Sequence, residues 1–284
     1  MDSGQAFRWQ ATDKSKQIWF GVVSDKLVKL TGDGATVYGD GDTSGNNLLE
    51  EYLSTADDLN TIFRNIPFDP ILDQIRNDLR GLRMLTQDPW ECLISFVCSI
   101  NCNIPSIRMK IENLSNRFGK CIKSDLDLKR HSFPTPEALA KASKRELLAC
   151  RLGFRWRYVK FIAKQVASGA LDLQSLASLP YSAAQNELIS NTSGKTQGVG
   201  QKVADCALLY AYHKTESFPI DVWMLRCLNR YYVGLDNSAH LTTKRYTNLS
   251  ESMRKKFGRY AGYAQLYLYV AMRTNAIIQR TAQV

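Results

Sequence analysis

The chain has 284 residues, 44% of them hydrophobic and 23% charged, with a formal net charge of +10. This composition excludes a disordered or fibrous chain. No apolar run approaches the roughly 20 residues that span a bilayer, and the N-terminus lacks a basic-then-apolar leader pattern, so a soluble intracellular protein is expected.

In chain order, the first elements read as strands. Residues 18 to 23, 27 to 30 and 36 to 38 are β-branched or apolar runs separated by Gly/Asp turns. A Gly/Asp/Asn loop from 39 to 47 leads into a helical segment at 48 to 53. From about residue 70 the apolar period becomes helical. Ile71, Leu72, Ile75 and Leu79 form one stripe; Trp90, Leu93, Ile94, Val97 and Cys98 form another, opened by Asp88-Pro89 as cap and first turn. Further helices are predicted over 105–118, 136–142, 144–150, 154–168, 182–190, 200–212, 222–232, 250–257 and 260–279. The fold class is therefore α+β, with a small antiparallel sheet domain over residues 1–79 and a larger helical domain over 80–284.

Charge divides along the same line. Residues 1–79 hold 7 Lys/Arg against 13 Asp/Glu, whereas the remainder holds 30 against 14. Residues 129–164 are densest, with 10 basic and 2 acidic side chains. Such a run is a solvated helical face or the footprint of an anionic partner. The seven cysteines form no C-x-x-C pair and the three histidines are far apart, so neither a zinc nor a four-cysteine iron–sulfur site is expected.

The most informative stretch is Gly198-Val199-Gly200-Gln201-Lys202-Val203-Ala204-Asp205-Cys206, followed by Pro219-Ile220-Asp221. Glycines that tolerate positive φ allow a sharp turn, and outward N–H groups beside a helix N-terminus form an anion site. Lys202, near the positive end of that helix and beside Val203 and Ala204, is expected to have its charged form disfavoured, leaving a nucleophilic amine. On these residues alone two plainer readings stay open: a solvated lysine, and an Asp221 that only caps the next helix.

Several blocks in one order resemble a known family. They are Ser3-Gly4-Gln5-Ala6-Phe7-Arg8-Trp9, Gln87-Asp88-Pro89-Trp90-Glu91-Cys92, Asn101-Cys102-Asn103, Leu152-Gly153-Phe154-Arg155, the 198–206 and 219–221 segments, and Tyr260-Ala261-Gly262-Tyr263-Ala264-Gln265. Over nearly its whole length the chain is similar to the 8-oxoguanine DNA glycosylases of the helix-hairpin-helix superfamily. The resemblance implies a helix-hairpin-helix at about 182–212 whose Gly198, Val199 and Gly200 grip a DNA phosphate. It implies that Lys202 attacks the sugar C1′ and forms a Schiff base that permits strand cleavage, while Asp221 stabilises positive charge on the sugar. Gly4 would accept from the N7–H that only the oxidised purine carries, Gln265 would read the Watson–Crick edge, and Cys206 and Tyr269 would sandwich the ring. Cys206 lies one turn after Lys202, and Tyr269 one turn after Gln265. On the other strand, Asn101 and Arg155 would contact the orphaned cytosine and Phe154 would wedge into the stack. The implied partner is duplex DNA containing 8-oxoguanine, handled by a monomer without a required cofactor, although the hairpin backbone could hold a monovalent cation.

The departures carry expectations too. Thr196-Gln197 replace the usual Leu-Pro before the hairpin. Ser106 stands where eukaryotic members carry arginine, which implies relaxed discrimination among opposite bases. Trp223 replaces a common histidine. Gly4 lies so near the chain start that either a preceding strand is missing or the purine reader is poorly anchored. A monofunctional glycosylase for other damaged bases and a non-catalytic DNA-binding module are the competing readings.

Overall fold

The computed structural model describes residues 3–12, 15, 17–39, 45–124, 126, 128–192, 198–233 and 241–274. Four strands, β1 (Gln10–Ala11), β2 (Trp19–Val23), β3 (Lys26–Thr31) and β4 (Gly34–Tyr38), form an antiparallel meander in the order β1-β2-β3-β4. Trp9 lies under this sheet, fully buried, and its indole N–H donates to the Tyr52 hydroxyl at 2.8 Å. A Cβ at Gly21 of β2 would overlap the Trp9 ring, so the strand needs glycine at that point. Ala6, Trp9, Val23, Val28, Leu49, Tyr52 and Leu85 close this small core.

The helices are α1 (Gly45–Tyr52), α2 (Leu59–Arg64), α3 (Pro70–Arg76), α4 (Pro89–Cys98), α5 (Ile104–Phe118), α6 (Pro136–Lys141), α7 (Lys144–Ala149), α8 (Trp156–Ala167), α9 (Tyr181–Thr192), α10 (Gln201–Tyr212), α11 (Val222–Leu228), α12 (Thr243–Phe257) and α13 (Ala261–Arg273). A short ribbon, β5 (Cys121–Ile122) with β6 (Arg130–His131), follows α5. Neither β1 nor this ribbon is foreseen from the sequence, because two-residue strands carry no readable alternation. Helix α12 begins seven residues before the expected 250, since Thr242 supplies an N-cap and accepts from Arg245 N at 3.2 Å. Ile62, Leu72 and Ile75 pack into the large helical core although they precede the expected boundary at 79/80.

Helix α4 is the centre of that core. Asp88 caps it by accepting from Glu91 N at 2.8 Å, Pro89 opens its first turn, and every residue from Cys92 to Cys98 is buried. Helix α10 packs along it. Helices α9 and α10 flank the hairpin and are tied by Asp205, which is fully buried on α10. Its carboxylate accepts from Tyr181 Oη of α9 at 2.6 Å, Gln185 Nε2 at 2.5 Å and Tyr246 Oη of α12 at 2.5 Å.

Burial pushes the Asp205 carboxyl up to about 6, with the Tyr181, Tyr246 and Gln185 donors opposing the rise. A carboxyl whose pKa is higher folded than unfolded favours the folded state while it is protonated. That contribution is present below about 4 and is lost as the pH rises through about 6. Relative to Asp205→Asn, the wild type is expected to lose on the order of 3 kcal/mol between pH 4 and 7. Denaturant unfolding at a series of pH values checks this, and parallel profiles for the two proteins would show that Asp205 does not titrate there.

Candidate active site

The site is assembled from α4, α10, α11, α13 and the N-terminal segment. Lys202 lies in the first turn of α10 and is half-buried. Its ammonium donates to Ser99 Oγ, the cap of α4, at 2.8 Å and stands 5.1 Å over the Phe96 ring. It also hydrogen-bonds the Cys206 thiol one turn on. Burial pushes that thiol up to about 12 against the pull of Lys202, so Cys206 stays neutral at physiological pH.

Asp221 is the N-cap of α11, and its Oδ1 accepts from Met224 N at 2.8 Å. Burial raises its carboxyl above the ordinary aspartate range, opposed first by the Met224 N–H and then by the charge of Lys202. The cap of α11 and the electrostatic partner of the lysine are thus one residue. Burial likewise raises the Tyr269 hydroxyl, with Asp221 the next cause and Cys206 also contributing. Asp221 and Cys206 thus both lie near Tyr269 in desolvated surroundings.

Gly4 has φ +81, and a Cβ there would lie 2.9 Å from both Cε1 and Oη of Tyr269. Both its backbone conformation and its neighbour require glycine. The segment carrying it is firmly held, which speaks against the poorly anchored one of the two alternatives. Gln5, 1% exposed, donates to Arg83 O at 3.1 Å and to Ser3 Oγ at 2.9 Å, and its Oε1 accepts from Leu85 N at 2.9 Å. Gln87 Nε2 completes the clamp by donating to Gln5 O at 2.9 Å. Gln265 is buried, donating to Pro219 O at 3.1 Å and accepting from Tyr210 Oη at 3.4 Å. Its amide therefore faces the segment leading into Asp221.

The hairpin differs in detail from its sequence reading. Gly200 has φ −93 and is extended, so positive φ is not why glycine stands there. A Cβ on it would meet nothing within 4 Å, which leaves open approach to the start of α10, where no side chain caps the first N–H groups. Gly198 is instead a packing glycine: a Cβ would lie 2.7 Å from Tyr158 Cβ on α8. Val199 between them is buried. Thr196-Gln197, and with them the backbone approach considered for a monovalent cation, lie outside the described residues.

Asn101 is exposed and left-handed, with φ 47. Arg155 does not present its guanidinium for direct base contact as expected. It is 7% exposed and donates to Ile100 O through Nε at 2.8 Å and through Nη2, to Asn101 O at 2.9 Å and to Leu152 O at 3.3 Å. Carbonyls beyond the C-terminal end of α4 lack helical partners, and a buried arginine fork satisfies them. Phe154, by contrast, is 47% exposed, with Arg155 4.4 Å from its ring centroid. Ser106 lies in the first turn of α5, its N–H capped by Asn103 at 3.0 Å. Trp223 is partly exposed in the first turn of α11, with Arg226 at 5.1 Å from its ring.

Ser99, Phe96, Gln5 and Tyr210 are the contributors that sequence reasoning missed. Gln5 alone had a signal, since a polar residue amid Ala6 and Phe7 invites a buried clamp. The others gain meaning only from the packing of α4 on α10.

Residues 1–93 match the family model of the 8-oxoguanine DNA glycosylase N-terminal domain, and residues 94–252 match that of the HhH-GPD superfamily base excision DNA repair proteins. The chain is 30% identical over 282 residues to N-glycosylase/DNA lyase OGG1 of Arabidopsis thaliana, spanning 95% of this chain and 75% of that one. It is 29% identical over 235 residues to a probable N-glycosylase/DNA lyase of Methanothermobacter thermautotrophicus, spanning 76% and 71%. The structure of a Clostridium acetobutylicum 8-oxoguanine glycosylase/lyase, in complex with double-stranded DNA containing cytosine opposite 8-oxoG, superposes with a TM-score of 0.84 at 30% identity, covering 97% of this chain and 91% of that one. A 3-methyladenine DNA glycosylase from Archaeoglobus fulgidus shares the fold at 22% identity, with a TM-score of 0.70. By its matched domains and its full-length likeness, the chain belongs to the HhH-GPD superfamily of base excision DNA repair proteins and carries the 8-oxoguanine DNA glycosylase N-terminal domain.

Proposed function

We propose that the protein is a bifunctional 8-oxoguanine DNA glycosylase and abasic-site lyase acting as an intracellular monomer on duplex DNA. The observation that carries the reading is a lysine amine held against α4 by Ser99, hydrogen-bonded to a neutral Cys206 and electrostatically coupled to a desolvated Asp221. That is a nucleophile and a carboxylate in one pocket, which a module that only held phosphates would not need. The names of the relatives, which join glycosylase and lyase activities, point the same way.

In this reading the target nucleotide leaves the stack and its base enters between Cys206 and Tyr269. Gly4 O accepts from N7–H of the oxidised purine, where guanine would set a lone pair against the carbonyl. Gln265 exchanges its contacts to Pro219 and Tyr210 for the Watson–Crick edge. As the glycosidic bond breaks, the electron pair leaves with the base and positive charge grows on the sugar. The Asp221 carboxylate stabilises that charge, and the free amine of Lys202 bonds to C1′. The amine nitrogen then gives up a proton and O4′ takes one as the C1′–O4′ bond opens, leaving an iminium at C1′; loss of a C2′ proton from it lets the 3′ phosphate leave by β-elimination. The free N–H groups at the start of α10 grip the backbone, Phe154 fills the gap in the stack, and Asn101 meets the orphaned base. The chemistry uses no cofactor.

Incubation with an 8-oxoguanine duplex and borohydride is expected to trap a covalent adduct with wild type and none with Lys202→Gln. Base release without trapping would mark a monofunctional enzyme, and binding alone a non-catalytic module.

Asp221→Asn is expected to slow single-turnover excision by about two to three orders of magnitude while leaving duplex affinity within a few fold. The raised carboxyl implies a rate that falls on acidification at a higher pH than an ordinary aspartate would give, because protonation removes the charge that stabilises the sugar. An acid limb that persists unchanged in Asp221→Asn would assign it to another group.

Gly4→Ala forces a side chain into the left-handed region and against Tyr269. It is expected to abolish excision while costing only about 1 kcal/mol of stability, measured by thermal unfolding alongside the trapping assay.

A further inference from the structure

Lys110 is 4% exposed and has no carboxylate partner among the described residues. Its three donors go to Ser106 Oγ at 2.6 Å, Ser106 O at 3.2 Å and Cys102 Sγ at 3.3 Å. A buried ammonium without a counter-ion is costly to keep, and lysines are rarely buried unpaired. This one lies one turn behind Ser106 on α5 and reaches Cys102, the residue after the left-handed Asn101. The Ser106 hydroxyl accepts from it and donates to no protein group among the described residues.

We infer that Lys110 and Ser106 form a relayed donor that selects the base opposite the lesion, with Ser106 touching that base and Lys110 positioning and polarising the serine. A hydroxyl whose lone pair is held by an ammonium must turn its proton elsewhere, and the charge makes that proton a stronger donor. On the orphaned nucleotide, cytosine offers acceptors at N3 and O2. Guanine presents N–H donors along the same edge and would set donor against donor. This rests on the reading of Asn101 as facing the orphaned base.

The test measures single-turnover excision of 8-oxoguanine opposite C, G, A, T and an abasic spacer, using wild type, Ser106→Ala, Ser106→Thr, Lys110→Met and the double variant Ser106→Ala with Lys110→Met. The C-to-G rate ratio is expected to fall about tenfold in Ser106→Ala and similarly in Lys110→Met, with no further fall in the double variant. Ser106→Thr keeps the hydroxyl and the ratio, and rates opposite the spacer stay within about twofold throughout. An unchanged ratio in Ser106→Ala or Lys110→Met, multiplying effects in the double variant, or an equal loss opposite the spacer would overturn the inference. If Lys110→Met does not fold, the contrast between Ser106→Ala and Ser106→Thr decides. Equilibrium binding to duplexes with a tetrahydrofuran site facing C or G reads the same preference without chemistry. Absent excision with a retained Ser106-dependent binding preference would therefore sink the catalytic reading alone.

Discussion

The burial of α4 is the constraint on which the rest depends. A helix buried from Cys92 to Cys98 has no freedom to shift against its neighbours, so whatever its C-terminal end carries is fixed in space. That end carries Phe96 and Ser99, which hold the Lys202 amine, and runs directly into Ile100 and Asn101, whose carbonyls are held by Arg155. Lys202 and Asn101, the attacking and opposite-strand groups of the proposed function, are thereby referenced to a single rigid element. For an enzyme that must register a flipped nucleotide against the gap it leaves, a common reference matters more than the strength of any one contact.

Desolvation is the second organising force. The same burial that raises the carboxyl of Asp221 and the thiol of Cys206 keeps the sulfur neutral and sets the Asp221 carboxyl group and the Lys202 side chain in desolvated surroundings. In such surroundings a carboxylate acts more strongly on a developing sugar cation than it would in water. Asp205, three residues beyond Lys202 on α10, shows what burial does to a carboxyl given three hydrogen-bond donors: it becomes a strut between α9, α10 and α12. The partners each carboxyl finds, not residue type, separate the strut from the helix cap.

Much of this was legible in the sequence, for reasons specific to each element. Asp88-Pro89 before a helical apolar stripe gives α4, and the run from Gly200 to Cys206 gives the start of α10 with Lys202 and Cys206 on one face. What sequence cannot deliver is the partner of a side chain across the fold. Arg155 reads as a basic residue beside an aromatic, suited to DNA; its burial is decided by carbonyls more than fifty positions earlier. Gly200 reads as a positive-φ glycine, yet its role is open space, which only the absence of neighbours reveals. Gln5 reads locally as a buried polar residue, yet that it anchors Gly4 through residues 83 to 87 is set by segments about eighty positions away.

The contrast between Phe154 and Arg155 shows how little backbone separates the two strands' demands. Gly153, at φ +58, turns the chain into a short 3₁₀ turn, and adjacent residues then point in different directions. One ring goes to solvent, where it can enter a base stack; one guanidinium goes inward to three carbonyls. Had Arg155 faced out, the carbonyls of Ile100 and Asn101 would be left without these buried donors, and the left-handed Asn101 would lose the contact that fixes it. Arg155 therefore fixes the position of Asn101, and in the proposed reading a cation that reaches the opposite base has to come from elsewhere in the turn. Lys110, buried behind Ser106, is the cation in a position to supply it.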